Sequence, residues 1–127
     1  ILGAGLGVVI AHGMLELEIC QISSKLRQGA SQGFSEIIAT FGLILVIFGG
    51  LKLRADAIPA LVGFYITSAY WFTASTSFAN PAVTLARSLS DTFAGINPSN
   101  IIMFISCQFI GMLVALILVK YIFSEKE

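Results

Sequence analysis

The residues best placed to do chemistry lie in one polar stretch, Ser75-Thr76-Ser77-Phe78-Ala79-Asn80-Pro81-Ala82-Val83-Thr84, set within an otherwise apolar sequence. Asn80 is a good helix N-cap and Pro81 suits the first helical position, so a helix is expected to begin abruptly there. Running from Pro81 to about Ser90, it would rise roughly 15 Å, half the depth of a hydrocarbon layer about 30 Å thick. Such a segment cannot cross a membrane and must be re-entrant. Its free backbone N–H groups and positive dipole end would then face a cavity rather than lipid. What this stretch offers is hydrogen-bonding groups, not a nucleophile.

No nucleophile, base and orienting group can be assembled elsewhere in the chain, so no enzyme is expected. His12 is the single histidine and has no second ligand or nucleophile in sequence to pair with, which favours a packed or interfacial side chain. Cys20 and Cys107 lie in or beside apolar segments without metal-ligand spacing, and both are expected to be small buried hydrophobes. Neither a metal nor another cofactor is implied. Glu36 interrupts an apolar segment. It reads either as a dipole partner near the interface or as an intramembrane acid that needs a hydrogen-bonding partner.

The elements that must position these residues read as membrane helices. Hydrophobic residues make up 57% of the 127 residues and charged residues 11%, too apolar a balance for an ordinary soluble domain. A formal net charge of zero offers no basic surface for nucleic acid. Residues 1–17 read as the end of a spanning helix, with Gly3 and Gly7 spaced for close packing; an interfacial segment is the alternative. Cys20 to Gly33 reads as a water-exposed loop. Spans follow at about 34–50 and 58–75, joined by a charged connection carrying Lys52 and Arg54. Tyr65, Tyr70, Trp71 and Phe72 suggest an interfacial aromatic belt. The re-entrant loop and half-helix take up about 76–92. The last span covers about 101–121, where Cys107, Gly111 and Ala115 are spaced four apart for packing. Lys120, Ser124, Glu125, Lys126 and Glu127 are expected in water. With Lys52, Arg54, Lys120 and Lys126 inside and Lys25 and Arg27 outside, the charge bias mildly favours this path. The sequence has no initiator Met and opens within an apolar run, so a fragment of a longer chain is expected.

Asn80-Pro81-Ala82 is the NPA motif. With an apolar segment running into it and a short helix and a full span leaving it, the chain resembles the aquaporin (major intrinsic protein) family over nearly its whole length. The resemblance implies an all-α membrane protein built from two inverted halves, each with one NPA half-helix, of which this chain holds one. Valine after NPA is typical of the first half, because the second usually has arginine there. The apolar segment and long polar loop ahead of Glu36, however, suit the second half. Phe78 to Ile96 also resembles "FANPAVTxARSLSDTFAGI", the second motif of a bacterial subgroup associated with metalloid and organoarsenical permeation. The chain is therefore read as an aquaporin-like C-terminal half: the end of one spanning helix, three further spanning helices and one re-entrant half-helix. A homotetramer in a bacterial inner membrane is implied for the complete protein.

Carried over residue by residue, Glu36-Ile37-Ile38-Ala39-Thr40 matches the family's "E-x-x-x-T" opening of the fourth helix. This implies that Glu36 accepts hydrogen bonds from the NPA loop backbone. The carbonyls of Thr76, Ser77 and Phe78 would face permeants, and the Asn80 amide would donate at the midplane. Val83 would hold the selectivity-filter position usually taken by arginine, with Ser77 and Ser68 as neighbours. Arg87 would line the outer mouth, a snorkelling or structural arginine being the alternative. Isopropyl in place of guanidinium removes a fixed charge and several donors, which implies a wider, less polar filter. The leading expectation is a passive channel for water and small neutral solutes, polyols or uncharged metalloid species among them. An ion-coupled transporter with Glu36 as its sole candidate site, and a non-conducting membrane fragment, are the alternatives.

Overall fold

The computed structural model describes residues 1–123, so the expectation for Ser124 to Glu127 lies outside the described residues. Five α-helices follow one another: α1 (Leu2–Met14), α2 (Ala30–Leu53), α3 (Ile58–Phe72), α4 (Pro81–Arg87) and α5 (Ile101–Phe123). Single 3-10 turns at Ala55–Ala57 and Pro98–Asn100 lead into α3 and α5. Two segments, Ala30–Leu53 and Pro98–Phe123, are long and apolar enough to cross a membrane.

Helix α2 outruns the expected 34–50 at both ends. It starts from Gly29, whose φ of 103° is a left-handed conformation that glycine adopts without a steric cost. Ser31 and Gln32 are thereby drawn into its first turn. At the far end Lys52 sits in the last turn, where a cation suits the helix dipole. Helix α3 is shorter than the expected 58–75. Thr73 turns extended (φ −102°, ψ 141°), with its N–H (3.1 Å) and hydroxyl (2.7 Å) both donating to the Ala69 carbonyl. The 15 residues of α3 rise only about 22 Å, and the polar run after Phe72 leaves the helix.

The main contact joins α2 and α5. A Cβ at Gly111 would strike the Ile37 carbonyl, so these backbones approach as they do because that side chain is missing. Ala115 is fully buried on the same stripe, and the Cys107 sulfur faces Gly33. Between α2 and α3, Gly42 leaves room for Tyr65, whose hydroxyl donates to the Ala39 carbonyl (2.9 Å). Tyr65 is thus a helix-packing residue rather than part of an aromatic belt. Tyr70 likewise packs on Phe93, with ring centroids 6.4 Å apart, while Trp71 and Phe72 stay exposed. No side chain or backbone packs over Gly3 or Gly7 among the described residues. Leu6, Phe64, Phe109, Leu113 and Ile117 are exposed, a surface suited to hydrocarbon rather than water.

The stretch between α1 and α2 is exposed at most of its residues, as expected of a loop in water, but Ser23 and Arg27 turn inward. It lies against residues 88–100. The Ser23 N–H donates to the Ser88 carbonyl (2.8 Å), and the Asn97 N–H donates to the Lys25 carbonyl (2.7 Å). Ser24 gives both its N–H and its hydroxyl to Asp91 Oδ1 (2.8 Å each), and the Asp91 N–H donates to Gln21 Oε1 (2.8 Å). Gly95 makes the seam possible, because a Cβ there would collide with the Ser90 carbonyl and the Ser23 hydroxyl. Ser23 and Arg27 are buried, so Arg27 does not stand in outside water. Cys20 is exposed rather than buried, and Cys107 is half-buried.

Candidate functional site

Between Thr73 and Asn80 the chain is neither helix nor strand. Thr76 (φ 62°), Ser77 (φ 46°) and Ala79 (φ 48°) all occupy the left-handed region, which costs an L-residue of order 1–3 kcal/mol. Three such residues in four persist only where surrounding contacts over-determine the backbone. Glu36 supplies those contacts. Its Oε1 accepts from the Phe78 N–H (2.9 Å) and the Ser75 hydroxyl (2.5 Å), and its Oε2 accepts from the Ala79 N–H (2.9 Å). Gln108 Nε2 donates to the same Oε2 at 2.7 Å. Glu36 is fully buried and acceptor-only, so four donors use it without conflict.

With its N–H groups drawn toward Glu36, the loop leaves its carbonyls free. Among the described residues, none of the Thr76, Ser77 and Phe78 carbonyls accepts a hydrogen bond. The hydroxyls of Thr76 and Ser77 are buried without partners as well. Phe78 anchors the loop through its ring, which meets Phe104 edge-on at 5.1 Å within a core that includes Ile96.

Asn80 caps α4. Its Oδ1 accepts from the N–H of Ala82 (2.8 Å) and of Val83 (3.4 Å), which leaves the side-chain NH₂ free to donate elsewhere. Asn80 is exposed, and it borders a cavity of about 270 Å³ shared with Thr40, Ile44, Ala79 and Gln108. The half-helix is shorter than the expected run to Ser90. Its seven residues rise only about 10 Å, because the Ser88 hydroxyl takes the Leu85 carbonyl (2.7 Å) and the chain tightens into 3-10-type turns.

Val83 and Arg87 lie one turn apart and line one cavity of about 360 Å³ together with His12, Ala86 and Ser90. The Arg87 guanidinium also sits 4.3 Å from the Phe78 ring centroid, and its Nη1 is buried without a partner. His12 is buried where α1 meets the turn after α4, with Nε2 3.0 Å from the Ser90 hydroxyl and Nδ1 3.3 Å from the Ile19 carbonyl. Ser77 is buried in the loop. Ser68 is exposed on α3, and its hydroxyl donates to the Phe64 carbonyl (2.9 Å). No hydrogen bond joins Ser68 to Val83 or Ser77 among the described residues.

Sequence reasoning missed Gln108, Thr84, Arg27 and the hydroxyl of Ser75. Gln108 is a polar residue within an apolar span and nearly fully buried, a combination that signals an internal partner. Arg27 was hidden by the polar residues around it, which read together as solvent-facing.

Two helices long and apolar enough to cross a membrane, a polar segment without regular structure and a short helix opening at Asn80-Pro81-Ala82 make this an aquaporin-like all-α membrane protein. It is 48% identical over 120 residues to the aquaglyceroporin AqpS of Rhizobium meliloti (strain 1021), which takes in 94% of this chain and 52% of that protein. This similarity supports membership of the chain in the aquaporin (major intrinsic protein) family. It spans about half the length of the curated relative that it matches. No protein-family model matches the sequence, and no solved structure matches it.

Proposed function

We propose that this chain is the second half of a passive membrane channel for water and small neutral solutes, with polyols and uncharged metalloid species as the larger cargo. The observation that carries this reading is the loop held by Glu36, with the Thr76, Ser77 and Phe78 carbonyls left as acceptors beside the free Asn80 amide. Acceptors and a donor in series replace a permeant's lost water contacts one by one, without binding any one molecule tightly. Val83 takes the filter position, with Ser77 and Ser68 as its neighbours when the pore is complete, and Arg87 lines the outer mouth. The surrounding bilayer is that of a bacterial inner membrane, and the complete protein assembles as a homotetramer. The similarity to an aquaglyceroporin supports the channel reading, and nothing in the site supports an enzyme.

An ion-coupled transporter is the weaker reading. Glu36 is its one candidate coupling group, and both carboxylate oxygens are already committed to protein donors. Uptake of a polyol into proteoliposomes, with and without a proton or sodium gradient, separates the two. Equilibration to the outside concentration under both conditions is expected, and gradient-driven accumulation would overturn the passive channel.

A further inference from the structure

Arg27 comes from the segment between α1 and α2, yet only 4% of it is exposed. Its guanidinium fork is spent on main-chain carbonyls. Nε donates to Gly95 (2.7 Å), Nη1 to Ser75 (2.9 Å) and Nη2 to Phe93 (2.8 Å). Its own N–H donates to Asn100 Oδ1 (3.0 Å), which ties the residue to the entrance of α5. The guanidinium carbon also lies 4.9 Å from the centroid of the Phe78 ring that Arg87 approaches at 4.3 Å. Two cations thus share one aromatic ring inside the re-entrant loop.

Ser75 links this cation to the Glu36 carboxylate. Its carbonyl accepts from Arg27 and its hydroxyl donates to Glu36 (2.5 Å), so the loop is held at the same residue from two directions. Arg27 forms no direct ion pair among the described residues; the salt bridge there joins Arg54 to Asp56. A buried guanidinium satisfied by neutral carbonyls keeps its full positive charge, and such a fixed charge raises the barrier to cations in a narrow polar passage.

We propose that Arg27 is a positioning residue for permeation. It fixes the backbone from Ser75 to Phe78 and supplies, from another part of the chain, the positive charge that Val83 leaves out of the filter position. This rests on the channel reading above. A lysine would keep the charge but could not span three divergent carbonyls, because an ammonium is a single point donor while guanidinium is a planar fork.

The test compares Arg27→Met and Arg27→Lys with the parent, in the complete channel reconstituted in vesicles. Three quantities are read: cation leak, the ratio of polyol to water permeability, and amide exchange at Phe78 and Ala79. Losing three hydrogen bonds from a charged group should speed that exchange about tenfold or more in Arg27→Met. Cation leak in the same variant should rise on the order of tenfold. Arg27→Lys should restore the low leak while the permeability ratio and the exchange rates stay altered. If Arg27→Met keeps the parent's leak and ratio while the parent conducts, the proposal is overturned and the channel reading stands. If the parent passes neither water nor polyol, the channel reading fails, and with it the charge role at the filter. Should Arg27→Met fail to fold, Arg27→Lys decides: low leak with a shifted ratio supports the proposal, and an unshifted ratio overturns it.

Discussion

The side-chain amide of Gln108 donates to Glu36 Oε2 at 2.7 Å, and the same nitrogen reaches Thr84 Oγ1 at 2.9 Å. Helix α5 is thereby wired at one atom to the acid that orders the loop and to the half-helix the loop leads into. Replacing Gln108 with Leu removes a donor from a buried carboxylate and leaves the Thr84 hydroxyl one partner short. The expected loss is about 2 kcal/mol, the usual scale for a hydrogen bond to a charged group. Denaturant unfolding in mixed micelles measures it, and an unchanged midpoint would show that the amide contributes nothing net.

Gly111 tests the helix pair itself. A Cβ there meets the Ile37 carbonyl, so a Gly111→Leu side chain can be accommodated only by separating α2 from α5. Overpacking at a close backbone approach should cost about 1–3 kcal/mol or more. Amide exchange at Phe78 and Ala79 should also accelerate, because Glu36 and Gln108 stand on the two helices being forced apart. Unfolding curves and exchange rates for one preparation check both effects, and faster exchange without lost stability would contradict this account.

Val83→Arg places a long cation beside Arg87 on the wall of their shared cavity. In the complete channel it should slow bulky neutral solutes more than water, since the side chain narrows the passage while its donors still bind water. Paired swelling rates in vesicles, one for water and one for a polyol, give the ratio. An unchanged ratio means that Val83 does not face the permeation path, and the assignment to the second half would have to be withdrawn.

The seam between the two loops should depend on pH through Asp91. Hydrogen bonds from the Ser24 backbone, and then from its hydroxyl, hold the Asp91 carboxyl below its usual range. Folding therefore lowers this pKa, and the unfolded chain takes up the proton more readily. The contribution is whole well above the unfolded value of about 3.9 and is lost as pH falls through the lower folded value. Protection of the Ser24 amide, corrected for intrinsic exchange, should decline in that acidic window. Asp91→Asn should remove the pH dependence, and persistence of the decline in that variant would assign it to another group.

Legibility in the sequence followed the range of each interaction. The start of α4 is local, set by Asn80 and Pro81, and the order of helices follows from hydropathy along the chain. The small residues of α5 were legible as a packing stripe, and Gly111 and Ala115 are buried on it. Ends were less so: α3 stops at Phe72 and α4 at Arg87 because Thr73 and Ser88 hydroxyls take main-chain carbonyls. Composition does not show that competition. Glu36 was singled out through a resemblance, whereas its links to Gln108 and Ser75 join residues 72 and 39 positions apart, and no local pattern encodes them. Tyr65 was misplaced for a related reason. A tyrosine grouped with Tyr70, Trp71 and Phe72 reads as part of an interfacial belt, whereas the gap at Gly42 turns it inward.

The seam between the loop after α1 and residues 88–100 also sets an order of events during synthesis. Arg27 and the Gly95 carbonyl it binds are 68 residues apart, and α2, α3 and α4 all lie between them. At about 5–20 residues per second, roughly 3–14 s pass after Arg27 is made before its acceptor exists. Through that interval part of the guanidinium must stay hydrated, because the Ser75 carbonyl exists after 48 residues but those of Phe93 and Gly95 only after 66 and 68. The strained loop from Thr76 to Ala79 can therefore gain its full set of clamps only after Gly95, and then Gln108 on α5, have been made, so this segment is finished well after it is made.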